Sequence, residues 1–169
     1  AMATTGGGFM SDYDVFPIKP ASAIASAGDN FTVYDEVPNN GGIPSLMSGS
    51  ANEWLRMAHE ILDYAFETEP PEAYQAWSDF LALMELNKAK PGTYIINDVV
   101  GQVKNLMSRP FTKRTCKKMQ KFVALHFCHA DTANSGHQII ERPLLARHYA
   151  GVVQSQCNLY KSEPSAEHA

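Results

Sequence analysis

The spacing of apolar residues changes at about residue 50 of this 169-residue chain. Before that point prolines and glycines recur too often to leave room for a useful helix, and only FTVYDEV, at residues 31–37, alternates as a strand does. Beyond it apolar residues return every three or four positions, which is the period of a helix. The pattern predicts an extended arm over residues 1–49, a helical core domain over 50–160 and a disordered tail over 161–169.

About five helices are expected in the core. The predicted fold class is therefore all-α, a compact bundle with a long, mostly irregular N-terminal arm and a short C-terminal tail. The expected helix starts are Ser50, Pro70, residue 93, Lys113 and Pro143. Ser50 opens a capping-box pattern, and proline is tolerated at the first position of a helix. Between residues 93 and 108 β-branched side chains weaken the helix propensity, so a strand through Tyr94–Ile96 is the alternative there.

The helix predicted over residues 113–130 separates its apolar residues from its charged ones. At 100° per residue, one side holds Cys116, Met119, Phe122, Val123 and Phe127, and an opposite arc of about 100° holds Arg114, Lys117, Lys118 and Lys121. A simple solvated face is the ordinary alternative, but such a face normally mixes charges of both signs. Cations near the start of a helix are also disfavoured by its dipole, so the arrangement favours a negatively charged ligand.

Charge is divided unevenly along the chain. The formal net charge is −4, but residues 1–100 hold 14 acidic and 4 basic side chains, whereas residues 101–169 hold 4 acidic and 10 basic ones. No acidic residue occurs between positions 101 and 121. This asymmetry indicates a polyanion as partner, or a second copy of the chain that meets the basic half with its acidic half.

RNA is the expected polyanion, bound through its phosphates. The predicted contacts are Arg109, Lys113, Arg114, Lys117, Lys118 and Lys121, with the hydroxyl groups of Thr112 and Thr115 nearby. Lysine and arginine neutralise phosphates without reading bases, and the chain has no zinc-finger, RRM or KH signature. We therefore expect base-independent binding.

The predicted arm contains more aromatic residues than a solvated linker needs. They are Phe9, Tyr13, Phe16, Phe31 and Tyr34. These residues predict that the arm docks on a neighbouring subunit, which makes the protein a homo-oligomer. A tail without fixed contacts is the alternative, because chain termini are poorly ordered unless something ties them down.

No residue pattern predicts catalysis, so we expect no enzymatic activity and no catalytic residues. The one cluster of side chains able to bind a metal comprises His126, Cys128, His129, Asp131 and His137. Its spacing fits no standard zinc pattern, so neither a metal nor a cofactor is expected, although binding by His126, His129 and His137 stays open.

Cysteine usage and hydropathy bear on location. Three cysteines at unpatterned spacings argue against a disulfide framework and favour a reducing compartment. The apolar runs fall far short of the ~20 residues that a membrane helix needs. We expect an intracellular, cytoplasmic protein without a membrane partner, or a component of a virus particle.

The order of the predicted elements resembles that of the coat proteins of flexuous filamentous plant viruses. TKRTCKKM places Thr112 and Arg114 as in a Thr-x-Arg segment that opens an RNA-lining helix in that family, and LARHYAG, at residues 145–151, echoes an Ala-Arg-Tyr-Ala run. His148 is an additional residue within this run, and Gly151-Val152-Val153 stands where the family has Phe-Asp-Phe. The resemblance covers the order of elements over residues 50–153. It implies a helical core, subunits that assemble head to tail into filaments, and RNA held in a basic groove.

Together these features predict a non-enzymatic, self-assembling structural protein that packages RNA through a basic helix face. The alternative is a helical adaptor domain whose basic face docks an acidic protein.

Overall fold

The computed structural model describes residues 2–24, 29–37, 41–67, 78–107 and 111–157. The chain divides into two compact units, each of which is discontinuous in sequence. Unit 1 comprises Ala1–Tyr13 and Ala25–Val100, and unit 2 comprises Asp14–Ile24 and Gly101–Ala169.

Helices and strands occur in both parts of the chain. The strands are β1 (Gly7–Ser11), β2 (Val15–Pro17), β3 (Thr32–Val37), β4 (Gly41–Ser50), β5 (Ile95–Ile96), β6 (Val100–Gln102) and β7 (Ala124–His126). The α-helices are α1 (Ala51–Glu67), α2 (Asp79–Ala89), α3 (Lys104–Met107), α4 (Lys113–Met119), α5 (His129–Asn134) and α6 (Arg142–Gln156). Short 3-10 helices lie at Met2–Thr5, Ala21–Ala23 and Ile139–Glu141. The all-α prediction is therefore wrong, because the fold is a mixed one with strands in two sheets.

The sheet of unit 1 has the order β1-β4-β3-β5. Its long strand β4 pairs antiparallel with both β1 and β3, and β5 lies parallel to β3. The register between β3 and β4 shifts between Val33 and Asp35, opposite the segment of β4 that contains Pro44. Since proline cannot donate a hydrogen bond to a ladder, this bulge is what lets β4 occupy an interior position of the sheet.

Helices α1 and α2 pack against this sheet and against each other. The buried cluster between them consists of Phe31, Val33, Met47, Met57, Leu83, Leu86 and Tyr94. Tyr94 ties the layers together, because its hydroxyl donates to the carbonyl oxygen of Leu83 at 2.9 Å and accepts from the amide of Gly42 at 3.1 Å. Burial raises the pKa of this phenol.

Residues 1–49 do not form the irregular arm of the predicted fold. They contain β1 to β4, and β1 lies so close to the end of β4 that a Cβ on Gly7 would stand 2.5 Å from the carbonyl oxygen of Gly49. Gly7 also has φ +87°, a conformation that side chains disfavour. The glycines that argue against a helix therefore permit strand pairing here. The predicted tail, residues 161–169, lies outside the described residues.

Unit 2 contains a three-stranded sheet in the order β2-β7-β6. β2 and β7 are antiparallel, and the pairing continues past β2 where the amides of Ile18 and Lys19 donate to the carbonyl oxygen of Val123. The core beside this sheet consists of Ile18, Val103, Leu106, Met119, Phe122, Leu125, Phe127, Ala146, Val153 and Cys157. Gly101 makes room for it, since a Cβ there would stand 2.5 Å from the ring of Phe122.

The prediction of one long basic helix over residues 113–130 is also wrong. Helix α4 ends at Met119, and the chain then enters β7 and α5. Every residue from 122 to 127 is buried, which is what a strand between two neighbours requires. The apolar run over these residues satisfied the helical period and the buried-strand pattern alike.

Several local predictions are confirmed. The strand at residues 31–37 is β3, and Pro143 lies in the first turn of α6. The helix expected to start at residue 93 is wrong: the strand alternative near Tyr94–Ile96 forms β5, and helix α3 begins only at Lys104. Helix α1 begins directly after Ser50, whose hydroxyl oxygen accepts from the amide of Glu53 at 3.3 Å. Helix α2 begins at Asp79, after the Ser78 cap, and residues 68–77 before it lie outside the described part.

Within the described ranges, none of the helices combines the length and apolarity needed to cross a membrane.

Candidate polyanion-binding surface

Helix α4 carries the predicted RNA contacts, and its ends are fixed by local chemistry. Thr112 is the N-cap: its hydroxyl oxygen accepts from the amide of Thr115 at 3.2 Å, and the amide of Thr112 donates back to the hydroxyl oxygen of Thr115 at 3.3 Å. This reciprocal capping box engages the two hydroxyl oxygens that sequence reasoning placed near phosphates. The basic side chains are therefore the groups that α4 presents to a ligand.

A disulfide joins α4 to the end of α6. It links Cys116 to Cys157, whose Cα atoms are 5.0 Å apart. Sequence reasoning argued against a disulfide because the cysteines show no pattern, and this argument was wrong: the two residues are 41 positions apart and meet only in the folded unit. Cys128 is a free thiol.

Four predicted contacts form two rows on the exposed side of α4. Lys113 and Lys117 are one turn apart, as are Arg114 and Lys118, and all four side chains are exposed. Among the residues that the structure describes, none of the four forms an ion pair or a side-chain hydrogen bond. We call these four residues the basic rows. They face solvent, and no carboxylate in the described part of their own chain pairs with them.

The other two predicted contacts lie elsewhere. Lys121 follows the end of α4, and its Nζ stands 4.5 Å from the centroid of the Phe122 ring. Arg109 lies outside the described residues.

Lys19 is a basic residue near α4 that sequence reasoning missed. Its Nζ donates to the carbonyl oxygen of Gln120, directly after α4. The two residues are 101 positions apart, and the pairing of the chain after β2 with Val123 brings them together. No local signal in the sequence marks Lys19, because its placement depends on a strand pairing that the period of apolar residues did not predict.

An open groove of about 570 Å³ runs beside the basic rows. Its lining residues are Phe111, Thr112, Lys113, Cys116, Lys117, Gln120, Gln156 and Cys157. The groove thus places two lysines, an aromatic ring, two side-chain amides and the disulfide around one open volume. Such a wall combines cationic, stacking and hydrogen-bonding groups.

The charge division of the sequence coincides with the structural units. Unit 1 contains 13 acidic and 3 basic side chains, net −10, and unit 2 contains 5 acidic and 11 basic ones, net +6. The basic rows therefore belong to a unit that is itself positively charged, which strengthens their attraction for anions over distances of about a Debye length.

Unit 2 also buries a charged cluster that sequence reasoning did not find. The carboxylate of Asp14 accepts from Nη1 of Arg142 at 2.7 Å, and its other oxygen lies 3.5 Å from Nε2 of His126. All three side chains are buried. This cluster fastens the segment before β2 to β7 and α6, which is a structural role.

The side chains of the cluster that could have bound a metal do not converge in the fold. His126 is buried beside Asp14, His129 is exposed, and the ring of His137 lies 3.5 Å from Glu141. Burial raises the pKa of the Cys128 thiol, which disfavours its thiolate form. Across the described ranges, no three side chains of the ligand-forming types lie together as a metal site would require.

Two of the predicted arm contacts are part of the core of unit 1. Phe31 and Tyr34 are buried, the ring of Phe31 stands edge-on to Trp54 at 4.8 Å, and the hydroxyls of Tyr34 and Ser48 are 2.7 Å apart. These side chains stabilise their own subunit and present little surface to a neighbour.

The other three arm aromatics differ in accessibility. Phe16 lies in β2 and packs edge-on against Phe127 in unit 2, with centroids 5.6 Å apart. Phe9 and Tyr13 are 43% and 70% exposed, so they are the two aromatic side chains of this set that remain accessible to a second copy.

The chain matches no protein-family model, no curated protein and no solved structure.

Proposed function

We propose that this chain is a non-enzymatic RNA-binding protein that holds phosphates on the basic rows of α4. The observation that carries the proposal is the set of four exposed cations, Lys113, Arg114, Lys117 and Lys118, which have no carboxylate partner among the described residues. They belong to a unit of net charge +6. Like charges crowded on two turns of a helix repel each other, and a polyanion removes that repulsion when it binds.

The chemistry of the surface favours binding without sequence preference. Lysine and arginine contact phosphate oxygens, which carry no sequence information, and each neutralised phosphate releases a condensed counterion. Lys113 and Lys117 face the groove beside Phe111, and Arg114 and Lys118 form the adjacent row. Lys121 and Arg109 remain predicted contacts, and Arg109 lies outside the described residues.

Self-association is the second part of the proposal. A unit of net charge −10 and a unit of net charge +6 are complementary between copies, and Phe9 and Tyr13 offer exposed aromatic surface for such a contact. Copies that associate head to tail without closing into a ring form an open assembly, which would package RNA along its length. An intracellular location stays a prediction, but the argument for it from the cysteines no longer holds, because Cys116 and Cys157 are bonded to each other.

The salt dependence of RNA binding tests the phosphate contacts. We expect the double variant Lys117→Gln/Lys118→Gln to bind single-stranded RNA more weakly than the original chain. The slope of log K against log salt should fall in magnitude by about 1.4, the value for two lost phosphate contacts. Fluorescence anisotropy with RNAs of unrelated sequence measures both quantities, and circular dichroism checks that the helical content is unchanged.

Lys88→Gln/Lys90→Gln is the matched control, since it removes the same charge from unit 1. It should leave the affinity and the slope close to those of the original chain. Equal losses in both variants would mean that only net charge matters, and the proposed surface would be wrong. Binding of an acidic protein in place of RNA, sensitive to Lys117 and Lys118, would identify the chain as an adaptor.

A further inference from the structure

The disulfide of unit 2 lies in the wall of the groove, where a reagent can reach it. Both cysteines line the groove, but Cys116 is partly exposed and Cys157 is only 6% exposed. Lys113 and Lys117 line the same groove and lie three residues before and one residue after Cys116. Cys116, the more exposed half of the disulfide, therefore shares the groove with two lysines.

We propose that the Cys116–Cys157 bond is a thiol–disulfide exchange site that selects anionic thiols, and that its reduction weakens RNA binding. The exchange itself does not depend on the proposed function, and only the effect on RNA rests on it. The reaction needs an external thiol as the reductant, and the groove is where that thiol approaches.

A monothiol can reduce the disulfide in two exchange steps. Its thiolate attacks Sγ of Cys116, a mixed disulfide forms there, and Cys157 leaves as a thiolate that takes up a proton. A second thiolate attacks the external sulfur of the mixed disulfide and releases Cys116. Two thiols are oxidised to one external disulfide while the protein disulfide is reduced to two thiols.

The lysines account for the selectivity. A thiolate that carries a second negative charge is attracted into a cationic groove, whereas a thiol with an ammonium group is repelled. The same charges stabilise the negative charge that develops on the sulfur atoms during exchange. This electrostatic preference should weaken at high salt, as all interactions between exposed charges do.

Reduction affects the basic rows because α4 is short and has few attachments. The helix has seven residues, of which only Met119 is buried, and the disulfide is its covalent link to the end of α6. Without that link, α4 is held by packing and by the chain on either side. The lysines and Arg114 then lose their fixed spacing, and RNA affinity falls.

The exchange rate tests the site in a Cys128→Ser background, which removes the remaining thiol. The oxidised chain is treated with 2-mercaptoethanesulfonate or with cysteamine, and the rates are corrected for the thiolate fraction. We expect the anionic thiol to react faster by about tenfold at low salt. In the variant Lys113→Gln/Lys117→Gln the ratio should fall towards one, whereas Lys88→Gln/Lys90→Gln should leave it unchanged. Mass spectrometry should find the first adduct on Cys116.

Three outcomes would overturn the exchange site. They are an air-oxidised chain without the disulfide, a first adduct on Cys157, and a ratio of anionic-thiol to cationic-thiol rates that does not change in Lys113→Gln/Lys117→Gln. RNA affinity is measured separately on the oxidised and reduced chains and should drop severalfold on reduction. Equal affinity in the two states would overturn the regulatory part. A chain that binds no RNA in either state would refute the proposed function, while the rates would still decide the exchange site.

Discussion

The buried ion pair between Asp14 and Arg142 should contribute several kcal/mol to the stability of unit 2. The side chains of Asp14 and Arg142 are 7% and 8% exposed, and their charged groups meet at 2.7 Å. Two unit charges about 4 Å apart attract each other by about 4 kcal/mol at an effective dielectric of 20. Desolvation offsets much of this attraction when both charges are present, but a single remaining charge keeps its full desolvation cost.

The perturbation is Arg142→Met, which leaves the carboxylate of Asp14 buried without its guanidinium partner. We expect a loss of about 3–5 kcal/mol in the free energy of unfolding of unit 2. The double variant Asp14→Leu/Arg142→Met removes both charges and fills similar volume. It should be more stable than the single variant, because no isolated charge remains.

Hydrogen exchange measures this free energy locally. The amide of Phe127 donates to the carbonyl oxygen of Asp14, and the amide of Ile18 donates to that of Val123, so both amides report on the pairing around β7. A loss of 3–5 kcal/mol speeds their exchange by about two to four orders of magnitude. Lys88→Met is the control: it breaks the surface pair with Glu85 and should cost less than about 1 kcal/mol.

Two results would refute this reasoning. One is a loss below about 1 kcal/mol for Arg142→Met, which would mean that water reaches the carboxylate. The other is a double variant whose loss equals the sum of the losses measured for Asp14→Leu and Arg142→Met singly, because independent sites add and paired sites do not.

Two further predictions concern the disulfide and a surface carboxylate. The Cys116–Cys157 disulfide closes a loop with a sequence separation of 41. On the chain-entropy estimate, Cys157→Ser should therefore lower the free energy of unfolding of unit 2, measured in urea, by about 4 kcal/mol. Cys128→Ser is the control, and equal stabilities of the two variants would contradict the estimate. Hydrogen bonds from Arg56 and from the amide of Phe31 hold the pKa of Glu53 below its usual 4.5. The resulting stability of unit 1 is complete above about pH 4.5 and is lost as the pH falls through the lowered pKa. The urea midpoint, followed by tryptophan fluorescence, should therefore drop less in acid for Glu53→Gln than for the original chain.

Elements fixed by local chemistry were predictable from the sequence. Ser50 precedes α1, Pro143 lies in the first turn of α6, and the alternating residues 31–37 form β3. Caps, proline and strict alternation each act within a few residues, so a single sequence contains the whole signal.

Elements that depend on distant partners were not predictable. β7 reads as part of a helix until β2 and β6 are known to flank it, and β1 and β4 contain the glycines and the proline that normally interrupt regular structure. Their strand character comes from pairing across the sheet and from the bulge near Pro44, neither of which has a local signature.

The candidate surface likewise combines features with a local sequence signal and features that depend on distant residues. The charges at Lys113, Arg114, Lys117 and Lys118 were visible in the sequence, because they lie within two turns of one helix. The capping role of Thr112 was missed, although the Thr112–Thr115 pattern is local. The contact between Lys19 and Gln120 and the Cys116–Cys157 disulfide were missed, because each joins residues at least 41 positions apart.

The discontinuity of unit 2 has a consequence for biosynthesis. β2 leaves the ribosome early, but its partner β7 is translated more than 100 residues later, after the whole of unit 1. Until then the edge of β2 is unpaired and Asp14 has no guanidinium to bind, so nascent chains are at risk of aggregation during this interval. A shortened chain that begins at residue 101 would retain the basic rows but lack the strand that completes their supporting sheet.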